Sequence, residues 1–163
     1  MTDGNNGAFA EAPASTLTRS NLTAVSSLTT QASIPSTSRG WYFDLGRENG
    51  VAWRINVTPT AADGVAVFTA TLTSGDACSP AGKGQAYAVD YSNGYSVLTN
   101  SRGDLVSYVS LNSSPTDNVI FKVDGVLRGL IGDATGGTTE LSLKRLASLT
   151  VRLINWRELN AVD

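Results

Sequence analysis

The side chains able to do chemistry in this sequence are few and scattered. Asp76, Cys78 and Pro80 lie in a small-residue loop, Ser74-Gly75-Asp76-Ala77-Cys78-Ser79-Pro80-Ala81-Gly82, and Cys78 is the only cysteine. A lone cysteine makes neither an internal disulfide nor a thiolate metal cage. It reads either as a small half-buried thiol or as a covalent link to a cysteine outside the chain. Histidine is absent from the whole sequence, which removes histidine-based triads, most zinc sites and the usual general base near neutral pH. Asp3-Gly4-Asn5-Asn6-Gly7 begins like a calcium loop, where closely spaced oxygens surround a hard cation, but Gly7 stands where a third oxygen ligand is wanted. That stretch therefore reads as a turn, and no metal or cofactor is expected from the residues. Asp44 and Asp76 read as caps of a strand end and a turn, because Asp bonds nearby amides readily. Hydrolysis without histidine needs paired carboxylates, whereas the acids here are spread over turns. The expectation is a chain with no catalytic residues, not an enzyme.

Aromatic residues offer a different chemistry. Trp41, Tyr42 and Phe43 are consecutive and would suit a platform for a sugar or an apolar surface. Strand alternation instead sends alternate members of the trio into a core, and this is the favoured reading. Trp53 and Trp156 are also expected in the core, with indole N–H groups that need partners. The loop carrying Asp76, Cys78 and Pro80 is the better candidate for display to a partner.

Composition narrows the class. A chain of 163 residues is one domain or a piece of one, and 41% hydrophobic residues suffice for a core. Charged residues make up 16%, below the roughly 25% of average domains; Ser, Thr, Asn and Gly fill the difference, as suits a β-rich secreted or surface protein. The net charge is −2 and the basic residues do not cluster, which argues against nucleic acid, since phosphates need a basic face. No run approaches the ~20 apolar residues of a membrane span. Met1 to Glu11 lacks the basic start and apolar centre of an export signal, so the chain is expected to be either intracellular or a mature or excised piece whose export signal lies outside it, and the composition favours the second.

Positioning elements follow from periodicity. Residues 1–38 are polar and small, a lead-in expected to be loosely held, with Leu17, Leu22, Val25 and Leu28 as isolated apolar anchors. Residues 39–163 are expected to form an all-β domain or a fragment of a larger one. Val51 to Thr58 alternates, with Val51, Trp53, Ile55 and Val57 on one face. Asp63-Gly64 is a hairpin dipeptide before an inner strand at Val65 to Leu72. Lys83 to Tyr91 reads as a third strand, and Asn93-Gly94 turns into a fourth at Tyr95 to Leu98. Further strands are expected at Asp104 to Leu111, and at Val119 to Val123 and Val126 to Ile131 around Asp124-Gly125. Ala134 to Thr139 reads as a loop, and Leu141 to Leu149 fits helix or strand. Thr150 to Trp156 reads as a strand with Val151 and Leu153 on one face and Ile154 and Trp156 on the other. The sum is an all-β fold of antiparallel meander sheets.

Several of these pieces, in order, resemble the C-terminal region of the PilY1 family of type IV pilus tip-associated adhesins. They are Arg39-Gly40-Trp41-Tyr42-Phe43-Asp44-Leu45, the Ser74–Gly82 loop, Tyr87-Ala88-Val89-Asp90 with its Asn93-Gly94 turn, and Asn155-Trp156-Arg157-Glu158-Leu159. Leu17-Thr18-Arg19-Ser20-Asn21-Leu22 resembles the segment before the Gly-Trp-Tyr element. The resemblance implies blade-like units from the end of a β-propeller, with an open β-sandwich as the alternative. It also implies an extracellular or cell-surface place at the pilus tip and support of pilus assembly, twitching motility and attachment. Partners would be minor pilins or the rest of the same adhesin, and a host or abiotic surface. Some members use calcium, although no complete loop for it is found here. Two other readings stand beside it: a free-standing glycan-binding β-domain, and a structural subunit that assembles through its strand edges.

Overall fold

Two Asp-Gly dipeptides set the register of the longest strands. Asp63 and Gly64 both take positive φ (48° and 85°), as do Asp124 and Gly125 (49° and 77°), the backbone that a two-residue hairpin with right-handed strand twist requires. The computed structural model describes residues 18–73 and 82–144. After a helical turn at Arg19–Asn21 come β1 (Thr23–Ala24), β2 (Trp41–Tyr42), β3 (Arg47–Glu48), β4 (Val51–Ala52), β5 (Thr60–Ala62) and β6 (Val65–Leu72). They are followed by β7 (Lys83–Asp90), β8 (Leu98–Thr99), β9 (Val109–Leu111), β10 (Pro115–Val123), β11 (Val126–Asp133) and β12 (Thr138–Leu143). The fold is all-β. Two four-stranded antiparallel sheets dominate it, ordered β5-β6-β7-β9 and β10-β11-β12-β8, and neither closes into a barrel.

One core joins the sheets. Val65 and Val67 of β6, Ala86 and Ala88 of β7, and Leu111 of β9 pack with Leu98, Ile131 and Leu141 of the other sheet. Burying each large aliphatic side chain is worth about 1.5–3 kcal/mol, so this layer supplies most of the driving force. The other face of the first sheet is covered as well: Ala66, Phe68, Ala70, Tyr87 and Val89 pack under Val25, Leu28, Ile34, Trp41, Phe43, Leu45 and Trp53. Both faces of β6 are thus occupied, which is why Val-Ala-Val-Phe-Thr-Ala-Thr-Leu has no polar alternation. Residues 18–38, expected as a loosely held lead-in, form part of this cover. Val25 and Leu28 are buried, and Thr23–Ala24 pairs in parallel with Trp41–Tyr42. Isolated apolar residues in a Ser/Thr-rich run carry no period by which to foresee that.

Strand ends shift in the second sheet, where β10 begins at Pro115, β11 runs to Asp133 and β12 begins at Thr138 inside the expected loop, and three larger differences from expectation stand beside these. The strand expected over Val51 to Thr58 shrinks to Val51–Ala52 plus a bridge from Arg54 to Thr71, and Val51 and Ile55 are exposed. A tight hairpin, β3–β4, takes its place, because Asn49 and Gly50 both adopt positive φ. The strand expected over Asp104 to Leu111 is Val109–Leu111, with a bridge at Leu105. The third difference concerns Tyr95 to Leu98, which does not complete the first sheet. Ser96 bridges Val89 and the Val97 amide donates to Ala88, but Leu98 pairs with Leu143 in the second sheet. The chain changes sheets within three residues, as at the corners of orthogonally packed sheets, and β9 becomes the fourth strand of the first sheet. Leu141–Leu143 lies in β12, while residues 145–149 and the strand expected over 150–156 lie outside the described residues.

Ser96 sits at this corner, fully buried. Its amide donates to the Leu28 carbonyl at 2.6 Å, its hydroxyl donates to the Val106 carbonyl at 2.6 Å, and its Oγ accepts from the Leu98 amide at 3.1 Å. Thr69 is equally buried, but its hydroxyl has no partner among the described residues. The two hydroxyls should respond oppositely to removal. Ser96→Ala strands an amide and a carbonyl and is expected to cost about 1–3 kcal/mol. Thr69→Val keeps the shape and removes an unpaired dipole, so it should be neutral or stabilising. Urea denaturation of both variants checks this; equal losses would contradict the assignment.

Candidate functional site

Beside the aromatic trio lies an open, shallow concavity. Trp41 and Phe43 lean onto the first sheet, and all three aromatic residues are half-buried. The Trp41 indole N–H donates to the Tyr91 carbonyl at 2.8 Å, and its ring lies so close over Gly94 that a Cβ there would meet it at 2.9 Å. Gly94 also has φ +74°, so the turn accepts the ring only because that position has no side chain. Tyr42 points the other way. The Arg19 guanidinium lies 4.1 Å from its ring centroid and pairs with Asp44 at 2.5 Å. Phe43 continues into an aromatic group: its ring centre is 6.5 Å from Tyr87, which stacks on Phe68 at 4.8 Å and lies tilted to Tyr108 at 5.8 Å.

An open groove of about 430 Å³ follows, lined by Phe43, Asp44, Leu45, Gly46, Arg47, Trp53 and Ile55. Its walls are fixed by backbone. Gly46 at φ +76° turns the chain out of the aromatic element, and the Gly46 carbonyl accepts from the Trp53 amide at 3.4 Å. The β3–β4 hairpin forms the rim: Arg47 donates to the Gly50 carbonyl at 3.0 Å, and Glu48 pairs with Lys83 at 2.6 Å. Arg54 exchanges both backbone hydrogen bonds with Thr71 and so anchors the far wall to β6. The floor is apolar, one acid and one base stand on the rim, and Ile55 is 47% exposed. The lining offers an apolar surface for shape contact and stacking, and no nucleophile in it is aligned with a base. Of the residues singled out in the sequence, Phe43 and Asp44, read there as core and as a cap, line the groove, Trp41 and Tyr42 do not, and Arg47 and Ile55 were not expected in a site. The signal that could have found them was Asn49-Gly50, a hairpin dipeptide as strong as the two that were read.

Other chemically capable residues serve local structure. Asp133 accepts from the Thr135 hydroxyl at 2.6 Å, the Thr135 amide at 2.9 Å and the Gly137 amide at 3.0 Å. These bonds, the Thr135 hydroxyl foremost, hold its carboxyl below the usual carboxylate range. Asp90 binds Ser92 in the same way, and Asp63 and Glu140 pair with Lys122 and Arg128. No group of three or more His, Cys, Asp or Glu side chains converges among the described residues. Asp76, Cys78 and Pro80 lie outside the described residues, as do Asp3 to Gly7 and Trp156. No helix among the described residues is long and apolar enough to cross a membrane. Comparison with known protein families, curated proteins and solved structures finds no match for this chain.

Tyr87 gives the aromatic group a pH signature. Burial, with a smaller contribution from Tyr108, pushes its phenol from 10.0 up to about 12. The unfolded chain releases this proton first as pH rises. Stability from Tyr87 is therefore intact below about pH 10 and lost as pH approaches about 12. Phenolate absorbance should show one tyrosine ionising late, and Tyr87→Phe, which keeps the stacked ring, should flatten the alkaline loss of stability. A Tyr87 phenol that ionises near 10.0 in the folded chain would contradict its burial.

Proposed function

We propose that this chain is a non-enzymatic binding module of an exported surface assembly, acting by contact and not by turnover. The observation that carries this reading is the open groove, with an apolar floor of Phe43, Leu45, Trp53 and Ile55 and a rim of Asp44 and Arg47. Supporting it, six of the described acids are held in local contacts: Asp44, Asp63, Glu48 and Glu140 in ion pairs, Asp90 and Asp133 in turns. An extracellular place at a pilus tip is part of this reading, and the ordered likeness of the sequence to pilus tip adhesins is what supports it. There it would dock on minor pilins or on the remainder of the same adhesin and present the groove to a host or abiotic surface. Support of pilus assembly and twitching motility would follow from that docking.

A glycan is the second reading, favoured by an aromatic floor beside polar rim groups, since a sugar ring stacks its apolar face on an indole while its hydroxyls reach charged side chains. One experiment addresses both readings. Beads coated with the chain are expected to attach to cultured epithelial cells and to polystyrene above blank beads. Ile55→Asp and Arg47→Glu, both at exposed positions, should reduce attachment at least fivefold without lowering the melting temperature. Loss of attachment in the presence of one soluble glycan class, matched by a hit on a glycan array, would move the conclusion to the second reading. Wild-type beads that attach no better than blanks, or variants that attach equally well, would sink the groove as the binding surface.

A further inference from the structure

Among the described residues, β10 is the long strand that ends a sheet. It runs nine residues at one end of the order β10-β11-β12-β8, whereas the other edge strands of the two main sheets, β5, β8 and β9, have two or three. The Asp124-Gly125 hairpin fixes which way the β10 backbone points. A two-residue turn is closed by a hydrogen-bonded pair, here Val123 with Val126, so Val119, Phe121 and Val123 exchange bonds with β11. The amides and carbonyls of Ile120 and Lys122 then point away from β11, to a side where no described strand is paired. Such an edge is a template for another strand, and proteins blunt it with proline, bulges and charge. Here the blunting stops halfway. Pro115, a register shift between Pro115 and Asp117, and an Asp117 carboxylate that accepts from the Asn118 amide at 2.7 Å close the first part. Lys122 does not close the rest, since its side chain turns to Asp63 at 2.7 Å.

We propose that this open edge pairs with β10 of a second copy of the chain, antiparallel, in the register that sets Phe121 against Phe121 across a two-fold axis. The register follows from what each residue offers. Outward-pointing groups must meet outward-pointing groups, so a symmetric pairing within the open segment is centred on Ile120, on Phe121 or on Lys122. Centring on Ile120 sets Lys122 against Asn118, whose amide is already taken by Asp117. Centring on Lys122 sets like charges directly opposite. Centring on Phe121 pairs Ile120 with Lys122 on both sides of the axis and satisfies the open amides and carbonyls of both. The side chains agree with this choice. Val119, Phe121 and Val123, all exposed, then form the non-hydrogen-bonded pairs, with Cβ atoms about 4.5–5.5 Å apart; Phe121 meets its own copy and Val119 meets Val123. Arg128, opposite Phe121 on β11, pairs with Glu140 of β12 and confines this apolar row to the edge strand. A layer laid on the face of the sheet would bury that ion pair, whereas a strand added at the edge covers the row and leaves the pair in water. The contact is one strand wide and smaller than a stable dimer needs, so the association is weak, with a dissociation constant on the order of 0.1 mM. It is independent of the groove and of the reading built on it.

Sedimentation equilibrium of the full chain at concentrations up to about 1 mM is expected to show monomer and dimer in exchange. Lys122→Pro removes an outward amide without touching the β11 ladder, as edge strands allow, and should weaken the dimer at least tenfold. Cysteines then read the register under mild oxidation, each in a Cys78→Ser background. Phe121→Cys should form a disulfide-linked dimer at least tenfold faster than Val119→Cys, and Val119→Cys should crosslink rapidly only when mixed with Val123→Cys. These positions are exposed, so the cysteine variants decide the matter even where Lys122→Pro lowers the melting temperature. A monomer at every concentration would overturn the proposal, as would Val119→Cys crosslinking to itself as fast as Phe121→Cys, or a folded Lys122→Pro that dimerises undiminished. Ile55→Asp, in the groove, should leave the dimer unchanged, which separates this contact from surface attachment; a dimer lost with Ile55→Asp would place the contact at the groove and overturn the edge pairing.

Discussion

A chain that leaves one sheet for another must cross a buried layer without stranding its backbone, and the passage from Ser96 to Leu98 is where this fold meets that constraint. Burying an unpaired amide or carbonyl costs about 1–3 kcal/mol, so an unsupported crossing would cancel much of the gain from the shared core. The structure resolves it locally. Ser96 donates to Leu28 and Val106 and accepts from Leu98, the Val97 amide goes to Ala88, and the Val97 carbonyl accepts from Lys144. Every layer contributes a partner: the segment over the first sheet, the first sheet itself, the loop before β9 and the end of β12. Serine suits the position because it is small enough for a packed interior and offers both a donor and an acceptor.

With the crossing in place, the layering of the rest is constrained. The first sheet has a face against the second sheet and a face against residues 18–53, and each is lined by its own apolar set. The aromatic residues collect on the second of these faces because the segment above it is irregular and presents few strands to pack. Large flat rings fill irregular space better than aliphatics do, and the near-parallel stack of Phe68 on Tyr87, 6° between planes, joins two paired strands beneath that segment. The groove opens where this cover thins, between the aromatic element and the β3–β4 hairpin.

How much of this was legible depended on whether the deciding interaction was local. Asp63-Gly64 and Asp124-Gly125 were readable because a two-residue turn is set by the φ preference of those residues alone. The strands at Val65–Leu72 and Lys83–Asp90 were readable because β-branched and small apolar residues bounded by turns leave little else. The alternation of Val51, Trp53, Ile55 and Val57 misled for a physical reason: it reports that a strand could hide one face, not that a neighbour exists to hide it. Asn49 and Gly50, both at positive φ, instead fold the first residues of this stretch back on β3, and after the Arg54–Thr71 bridge no strand pairing continues to Thr58. Tyr95 to Leu98 carries a good strand pattern, but which sheet it joins is decided by Leu143 and Lys144, some forty-five residues later. The candidate site was partly legible for the same reason, since Phe43 to Arg47 in its lining are a run in sequence while Trp53 and Ile55 reach it only through tertiary placement.

That placement of Ile55 shows how far the groove depends on the rest of the molecule. The stretch after it, through Thr58, has no strand partner, and β5 is three residues long, too short to hold itself. Asn118 of β10 holds both. Its side-chain amide donates to the Thr58 carbonyl at 2.9 Å, and its carbonyl accepts from the Thr60 hydroxyl at 2.7 Å. Asn118 is buried, so its carboxamide has no water to fall back on, and releasing either contact would leave an unpaired polar group in the interior. Lys122, four residues along β10, adds an exposed ion pair to Asp63 that contributes little by itself but favours the same alignment. The wall carrying Ile55 is therefore positioned by the second sheet, although the groove it helps to form lies over the first, and its shape depends on the packing of both sheets.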